Sequence, residues 1–133
     1  MERRVGEIMH RGVLTCQRDT PIQDIARQIS EQDISALVVV DDEGNMVGLI
    51  SRTDLVNARL YEQYWKQWRG LTAGHIMVTD VVSVSAEDSL DVASKQMMDR
   101  RFHRVVVVEK VEKGLRPIGI LSITDLVRDI ARA

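Results

Sequence analysis

Apolar residues recur along the chain in two alternating rhythms. Val13-Leu14-Thr15 and Val81-Val82-Ser83-Val84 are short β-branched runs, which predict strands. Ile22, Ile25, Ala26 and Ile29 return at helical spacing, as do Leu90, Ala93, Met97 and Met98. Thr20-Pro21-Ile22-Gln23 reads as a helix start, with Thr20 as N-cap, Pro21 in the first helical position and Gln23 in the third. Asp88 takes the N-cap place before the later helix. Ala36 to Val40 and Val105 to Val108 are unbroken β-rich runs, as buried strands are. Asp41-Asp42-Glu43-Gly44-Asn45 is turn chemistry, and Met46 to Ile50 predicts the returning strand. Second helices follow from Thr53 and from Thr124. Strand, helix, strand, strand, helix thus occurs twice, which predicts a layered α/β fold.

The duplication extends to the residues themselves. Gly6-Glu7-Ile8-Met9 returns as Gly74-His75-Ile76-Met77, 68 residues on. Gly48-Leu-Ile-Ser-Arg-Thr-Asp-Leu-Val56 returns as Gly119-Ile-Leu-Ser-Ile-Thr-Asp-Leu-Val127, 71 residues on, with six of nine positions identical. The two offsets place a three-residue insertion around Lys110 to Arg116, a polar stretch that reads as a turn. Repeated units of roughly 60 residues bury too little surface alone, so the two copies are expected to share one core.

Composition narrows the function classes. A hydrophobic share of 44% supports a core and excludes overall disorder. The net charge of −2 argues against a general nucleic-acid binder. The longest apolar run, Ala36 to Val40, is too short to span a bilayer, and Met1-Glu2-Arg3-Arg4 leads into no apolar segment of a secretory signal. Cys16 is the single cysteine, which predicts no internal disulfide, a buried inert thiol and a reducing, cytoplasmic location. His10, His75 and His103 form no metal-ligand pair, and there is neither a nucleophile elbow nor a phosphate-binding glycine loop. No cofactor, metal site or catalytic constellation is expected, so the chain reads as a binding protein rather than an enzyme.

Three groups of residues invite a choice between structure and ligand binding. Ser51-Arg52-Thr53-Asp54 and Ser122-Ile123-Thr124-Asp125 match a capping box, in which Ser bonds the amide three residues on and Asp reaches back. The same atoms suit a ligand, since a carboxylate can accept two hydrogen bonds from a ribose diol and helix-start amides favour an anion. Arg100-Arg101-Phe102-His103-Arg104 carries +3 with His neutral, against −1 for the matching Gln32-Asp33-Ile34-Ser35-Ala36. Arg100 and Arg101 suit a helix C-terminus, whereas Arg104 offers a planar donor fork for phosphate. Leu60, Tyr61, Tyr64, Trp65, Trp68 and Leu71 form one broad stripe if helical, either covering their own domain's core or forming a dimer surface.

The repeated Gly-x-x-Ser-x-Thr-Asp-Leu-Val, the Gly-x-Ile-Met openings and the Thr-Pro-Ile-Gln-Asp-Ile-Ala helix start resemble the cystathionine β-synthase (CBS) domain family. Two such domains in tandem form a Bateman module. The resemblance implies CBS domains at 1–68, including the aromatic helix, and 69–133, packed with pseudo-twofold symmetry. It implies a stand-alone, energy-sensing regulatory module that binds AMP, ADP or ATP in clefts between the domains and signals to a regulated protein. S-adenosylmethionine and NAD are the alternative ligands. The rival function is a structural homodimerisation module without a ligand. By resemblance, Asp54 and Asp125 hold ribose, with Ser51, Thr53, Ser122 and Thr124 beside them. His103 and Arg104 resemble a phosphate-contacting pair in AMP-sensing kinase subunits of the family, a pair for which Ser35-Ala36 offers no charge. Val13, Thr15, Ile34, Ala36, Val81, Ser83 and Phe102 are the adenine candidates, with ordinary packing as the alternative for each. The family's paired modules imply a homodimer through helices.

Overall fold

A computed structural model describes residues 3–132; Met1-Glu2 and Ala133 lie outside them. The elements in chain order are α1 (Val5–Ile8), β1 (His10–Arg11), β2 (Thr15–Gln17), α2 (Ile22–Gln32), β3 (Ala36–Val40), β4 (Met46–Ser51) and α3 (Arg52–Arg59). Two single 3-10 turns follow at Leu60–Gln63 and Trp68–Gly70. Then come α4 (Ala73–Ile76), β5 (Ser83–Ser85), α5 (Leu90–Arg100), β6 (Arg104–Val111), β7 (Gly114–Ser122) and α6 (Ile123–Ala131).

The chain forms two compact units, each combining residues from both sequence copies. One unit is Leu14–Val81; the other comprises the described parts of Met1–Val13 and Val82–Ala133. Each Gly-x-Ile-Met segment therefore packs on the copy that it does not precede in sequence. The cause is backbone hydrogen bonding that no local pattern displays. In the second-copy unit, the amides of Val5 and Gly6 donate to the carbonyls of Asp88 and Ala86, both at 2.9 Å. In the first-copy unit, Ala73 and Gly74 donate likewise to Thr20 and Arg18 at 2.9 and 2.8 Å.

In the first-copy unit, β2 runs parallel to β3 and β3 antiparallel to β4. The core consists of Cys16, Ile25, Ile29, Leu37, Val39, Ile50 and Ala73, so the helical and strand periodicities converge on one apolar layer. A second cluster joins Ile22, Ala58 and Trp68. In the other unit the sheet order is β1-β7-β6-β5, and its core holds Val5, Met9, Val84, Ala93, Met97, Val105, Val107 and Leu121. Strand β1 pairs antiparallel with β7, His10 opposite Ile120, so it covers an edge that would otherwise present unpaired backbone groups. Its counterpart in the first-copy unit is a single bridge, Leu49 to Val78.

Several local expectations shift. The leading strands begin two residues later than the β-branched runs, at Thr15 and Ser83. Helix α2 is capped at Pro21 rather than Thr20, because the Thr20 hydroxyl accepts instead from the Gln17 amide at 3.0 Å. Ser89, not Asp88, caps α5; the Asp88 carboxylate accepts from the Ser85 amide at 2.9 Å. The three-residue insertion lengthens β6 and β7, leaving Glu112-Lys113 as the turn. The aromatic stripe is not one helix. Helix α3 stops at Arg59, and the chain turns back so that Trp68 is buried against Ile22 and Ala58 while Tyr61, Tyr64 and Trp65 stay exposed.

Candidate functional site

Both long helices end on a left-handed residue that is not glycine, Asp33 with φ 50° and Arg101 with φ 56°. That conformation costs an L-residue about 1 kcal/mol. It turns the chain out of the helix and into the strand that follows. In the second-copy unit the Ile123 amide then donates to the His103 carbonyl at 2.8 Å, and Arg104 lies opposite Ser122 in the β6–β7 ladder. In the first-copy unit Arg52 donates to the Ser35 carbonyl at 3.2 Å, and Ala36 lies opposite Ser51. Each strand start is thus fixed beside the start of the helix that carries the repeated Asp.

The capping boxes are formed. Asp54 Oδ2 accepts from the Ser51 amide at 2.8 Å and hydroxyl at 3.1 Å, and the Asp54 amide donates to Ser51 Oγ at 3.4 Å. Asp125 Oδ2 accepts from the Ser122 amide at 2.9 Å, and its own amide donates to Ser122 Oγ at 3.2 Å. The second oxygens differ. Asp125 Oδ1 faces Arg128 at 3.5 Å, whereas Asp54 Oδ1 carries no hydrogen bond or ion pair among the described residues. Thr53 and Thr124 are exposed in the first turns of α3 and α6.

The structure gathers His103, Arg104, Ser122, Thr124 and Asp125 at one end of the second-copy sheet. His103 is exposed and Arg104 half-buried. Ile34, Ala36, Ser51, Thr53 and Asp54 form the corresponding group in the first-copy unit. Of the adenine candidates, Thr15 lies opposite Val38 and Ser83 opposite Val106, each two places along the strand from the site end. Phe102 is 40% exposed. Val13 and Val81 are each the last residue of a segment that packs with the other copy's unit.

Two matching grooves run along the flanks of α3 and α6. The first-copy groove, about 480 Å³, is lined by Asp54, Asn57, Ala58 and Tyr61 of the α3 side, by Tyr64 and by His75 and Ile76 of α4, among others. The groove at the equivalent positions of the second-copy unit is about 110 Å³ and lined by Asp125, Arg128, Asp129 and Arg132 with Glu7 and Ile8 of α1. Two of its acids are paired: Asp125 with Arg128, and Asp129, whose Oδ1 meets Arg3 at 3.2 Å. The helical halves of these grooves were readable as Asp-x-x-Asn-Ala against Asp-x-x-Arg-Asp. The participation of His75 and Glu7 was not, since it depends on where α4 and α1 dock.

Burial raises the Cys16 thiol to about 11, so it stays protonated near neutral pH and has the character of a core side chain. Among the described residues no group of three metal-ligating side chains clusters, and no helix is long and apolar enough to cross a membrane.

The family model described as CBS domain matches this chain twice, over residues 5–61 and 73–132. The chain belongs to the CBS domain family. Its two matches make it a tandem CBS pair. It is 29% identical, over 96% of its length, to the uncharacterized protein MJ1404 of Methanocaldococcus jannaschii, of whose length it spans 32%. It likewise spans less than two thirds of the other curated relatives most similar to it. Among solved structures, the CBS domain pair of protein MJ0100, in complex with 5-methylthioadenosine and S-adenosyl-L-methionine, matches with a TM-score of 0.83 at 22% identity, covering 98% of this chain and 97% of that one. CBSX2 in complex with AMP matches with a TM-score of 0.82 at 25% identity, covering 96% of each chain.

Proposed function

We propose that this CBS pair is a regulatory binding module for an adenine nucleotide, AMP or ATP, and that it acts on a partner protein rather than catalysing a reaction. The observation that carries this reading is the meeting of a basic pair, His103-Arg104, with the Asp125 capping box at one end of a single sheet. A ribose diol donating to the Asp125 carboxylate would leave the phosphate within the field of the basic His103-Arg104 strand start. Ser122 and Thr124 supply hydroxyls beside it. The AMP bound to CBSX2 supports the ligand class. S-adenosylmethionine and NAD remain the rival ligands, and the former is bound by the MJ0100 pair. A lone buried thiol suits a reducing cytoplasm.

A second reading is a structural homodimerisation module. It draws on Val56 and Leu60 of the α3 region, 65% and 62% exposed, and on Val127 and Ile130 of α6, 58% and 81% exposed. Exposed apolar residues on a helix favour association. A thermal-shift panel of adenine nucleotides, S-adenosylmethionine and NAD separates the two readings. A ligand at about 100 times its Kd adds about 2.7 kcal/mol of stability. Stabilisation by AMP or ATP that disappears in Asp125→Ala supports the nucleotide reading. A flat panel, with a dimer that dissociates in Val127→Asp, favours the structural one.

A further inference from the structure

A further groove of the first-copy unit is lined by α2, α3 and the 3-10 turn at Trp68–Gly70, and none of the nucleotide candidates lines it. Its volume is about 230 Å³, small beside the sites of drug-sized ligands. Ile22, Leu55 and Trp68 give it apolar surface and belong to one packed cluster. The turn that carries Trp68 is pinned to α2, since the Ile22 amide donates to the Leu71 carbonyl at 2.8 Å and the Leu71 amide to the Trp68 carbonyl at 3.1 Å. Two guanidinium groups, Arg59 and Arg69, line the groove, and no acid does. Arg69 stacks on the Trp68 ring, 4.6 Å from its centroid, and has no carboxylate partner among the described residues. Stacking uses the face of the guanidinium and leaves its N–H edge to an acceptor. Arg59 has only a long, exposed contact, Nε to Glu62 at 3.7 Å.

We infer that this groove is a site for a compact apolar carboxylate, its hydrocarbon part on Trp68 and Ile22 and its carboxylate on Arg69 and Arg59. The planar guanidinium fork matches a carboxylate, and burying a ring or a branched chain on the apolar surface adds affinity. The second copy has the opposite charge at the matching positions. The repeat offsets put Asp91 where Gln23 stands and Ile130 where Arg59 stands, so an acid is repelled there and held in the first copy. Such a ligand binds whether or not a nucleotide occupies the site of the second copy.

Titrations of the full chain with phenylacetate and with its uncharged amide, phenylacetamide, test this, read on the Trp68 indole N–H resonance. Phenylacetate should move that resonance saturably, and the amide should bind about tenfold more weakly, the loss expected when a charge-assisted pair is missing. Arg69→Gln removes one guanidinium and should weaken phenylacetate several-fold, as a partly exposed ion pair allows. Gln23→Asp copies the second-copy residue and should do the same. Position 23 lies in the first turn of α2, where an acid suits the helix dipole, so this variant keeps the fold. Neither variant should change the affinity for the amide. No saturable shift at millimolar phenylacetate, equal affinity for acid and amide, or an acid affinity unmoved by both variants overturns the assignment. The first of these outcomes, with a dimeric mass in light scattering, would give the face to self-association instead.

Discussion

The two copies share a scaffold and differ in what they line with it. Each has a Ser-Asp capping box, a four-residue helix contributed by a distant segment, and an amide that ties the motif helix to the preceding strand start. At the strand start, one copy presents Ser35-Ala36 and the other His103-Arg104. Along the helix flank, one copy presents Asn57 and Tyr61 and the other Arg128 and Arg132. The lesson is a separation of labour within one repeat. Positions that satisfy backbone groups are kept in both copies, because an unmet helix-end amide costs stability wherever it occurs. Positions that point away from the backbone are free to set charge and shape, and under the proposed function those would choose the ligand.

The largest effect should come from a feature that one copy lacks. Trp68 is 8% exposed in a cluster with Ile22 and Ala58, whereas Trp65 is 45% exposed. Trp68→Ala should cost about 3–5 kcal/mol, the range for deleting a buried aromatic. Trp65→Ala should cost less than about 1 kcal/mol, as a surface change. Urea denaturation of both variants checks the contrast, and equal losses would restore the continuous aromatic stripe.

Equivalent glycines give the next contrast. A Cβ at Gly119 would stand 2.5 Å from the His10 carbonyl oxygen, which is backbone held in the β1–β7 ladder. A Cβ at Gly48 would meet the Met77 sulfur at 2.6 Å, the flexible end of a side chain. Gly119→Ala should cost about 1–3 kcal/mol, in the range of overpacking. Gly48→Ala should cost distinctly less, since methionine can repack. Melting temperatures of the two variants read the difference. A larger loss for Gly48→Ala would contradict the tighter docking of the leading segment on the second-copy sheet.

These examples also mark how far the sequence could be read. The strand-helix-strand-strand-helix order was legible, because unbroken β-branched runs and helical spacing each report burial on one face. The capping boxes were legible, since both partners lie within three residues. The exchange of leading segments was not: Val5 and Ala73 are buried by neighbours far along the chain, and Gly-x-Ile-Met carries no local sign of which copy it joins. The aromatic spacing was real but misleading. Helical periodicity persists past Arg59, yet burying Trp68 outweighs continuing the helix. Of the candidate site residues, the basic pair and the acids came from motif and charge, whereas the imidazole beside Asp54 needed the docking of α4.

A smaller effect tests the shared half of the comparison. Ser51→Ala and Ser122→Ala each remove a side-chain cap in the same geometry, so each should cost about 0.5–2 kcal/mol. The two losses should agree within about 0.5 kcal/mol, and calorimetric unfolding would show it. A clear inequality would mean that the caps are not equivalent and that the scaffold has diverged as well.

The central claim is that phosphate recognition belongs to the second copy, whose strand start presents His103-Arg104 where the first presents Ser35-Ala36. The most direct measurement titrates Arg104→Ala with AMP and with adenosine, beside the wild type. Loss of a charge-assisted bond to phosphate is expected to cost AMP about 1.5–3 kcal/mol, roughly ten- to a hundredfold in Kd, and to leave adenosine unchanged. Equal weakening of both ligands, or no weakening of either, would contradict the account.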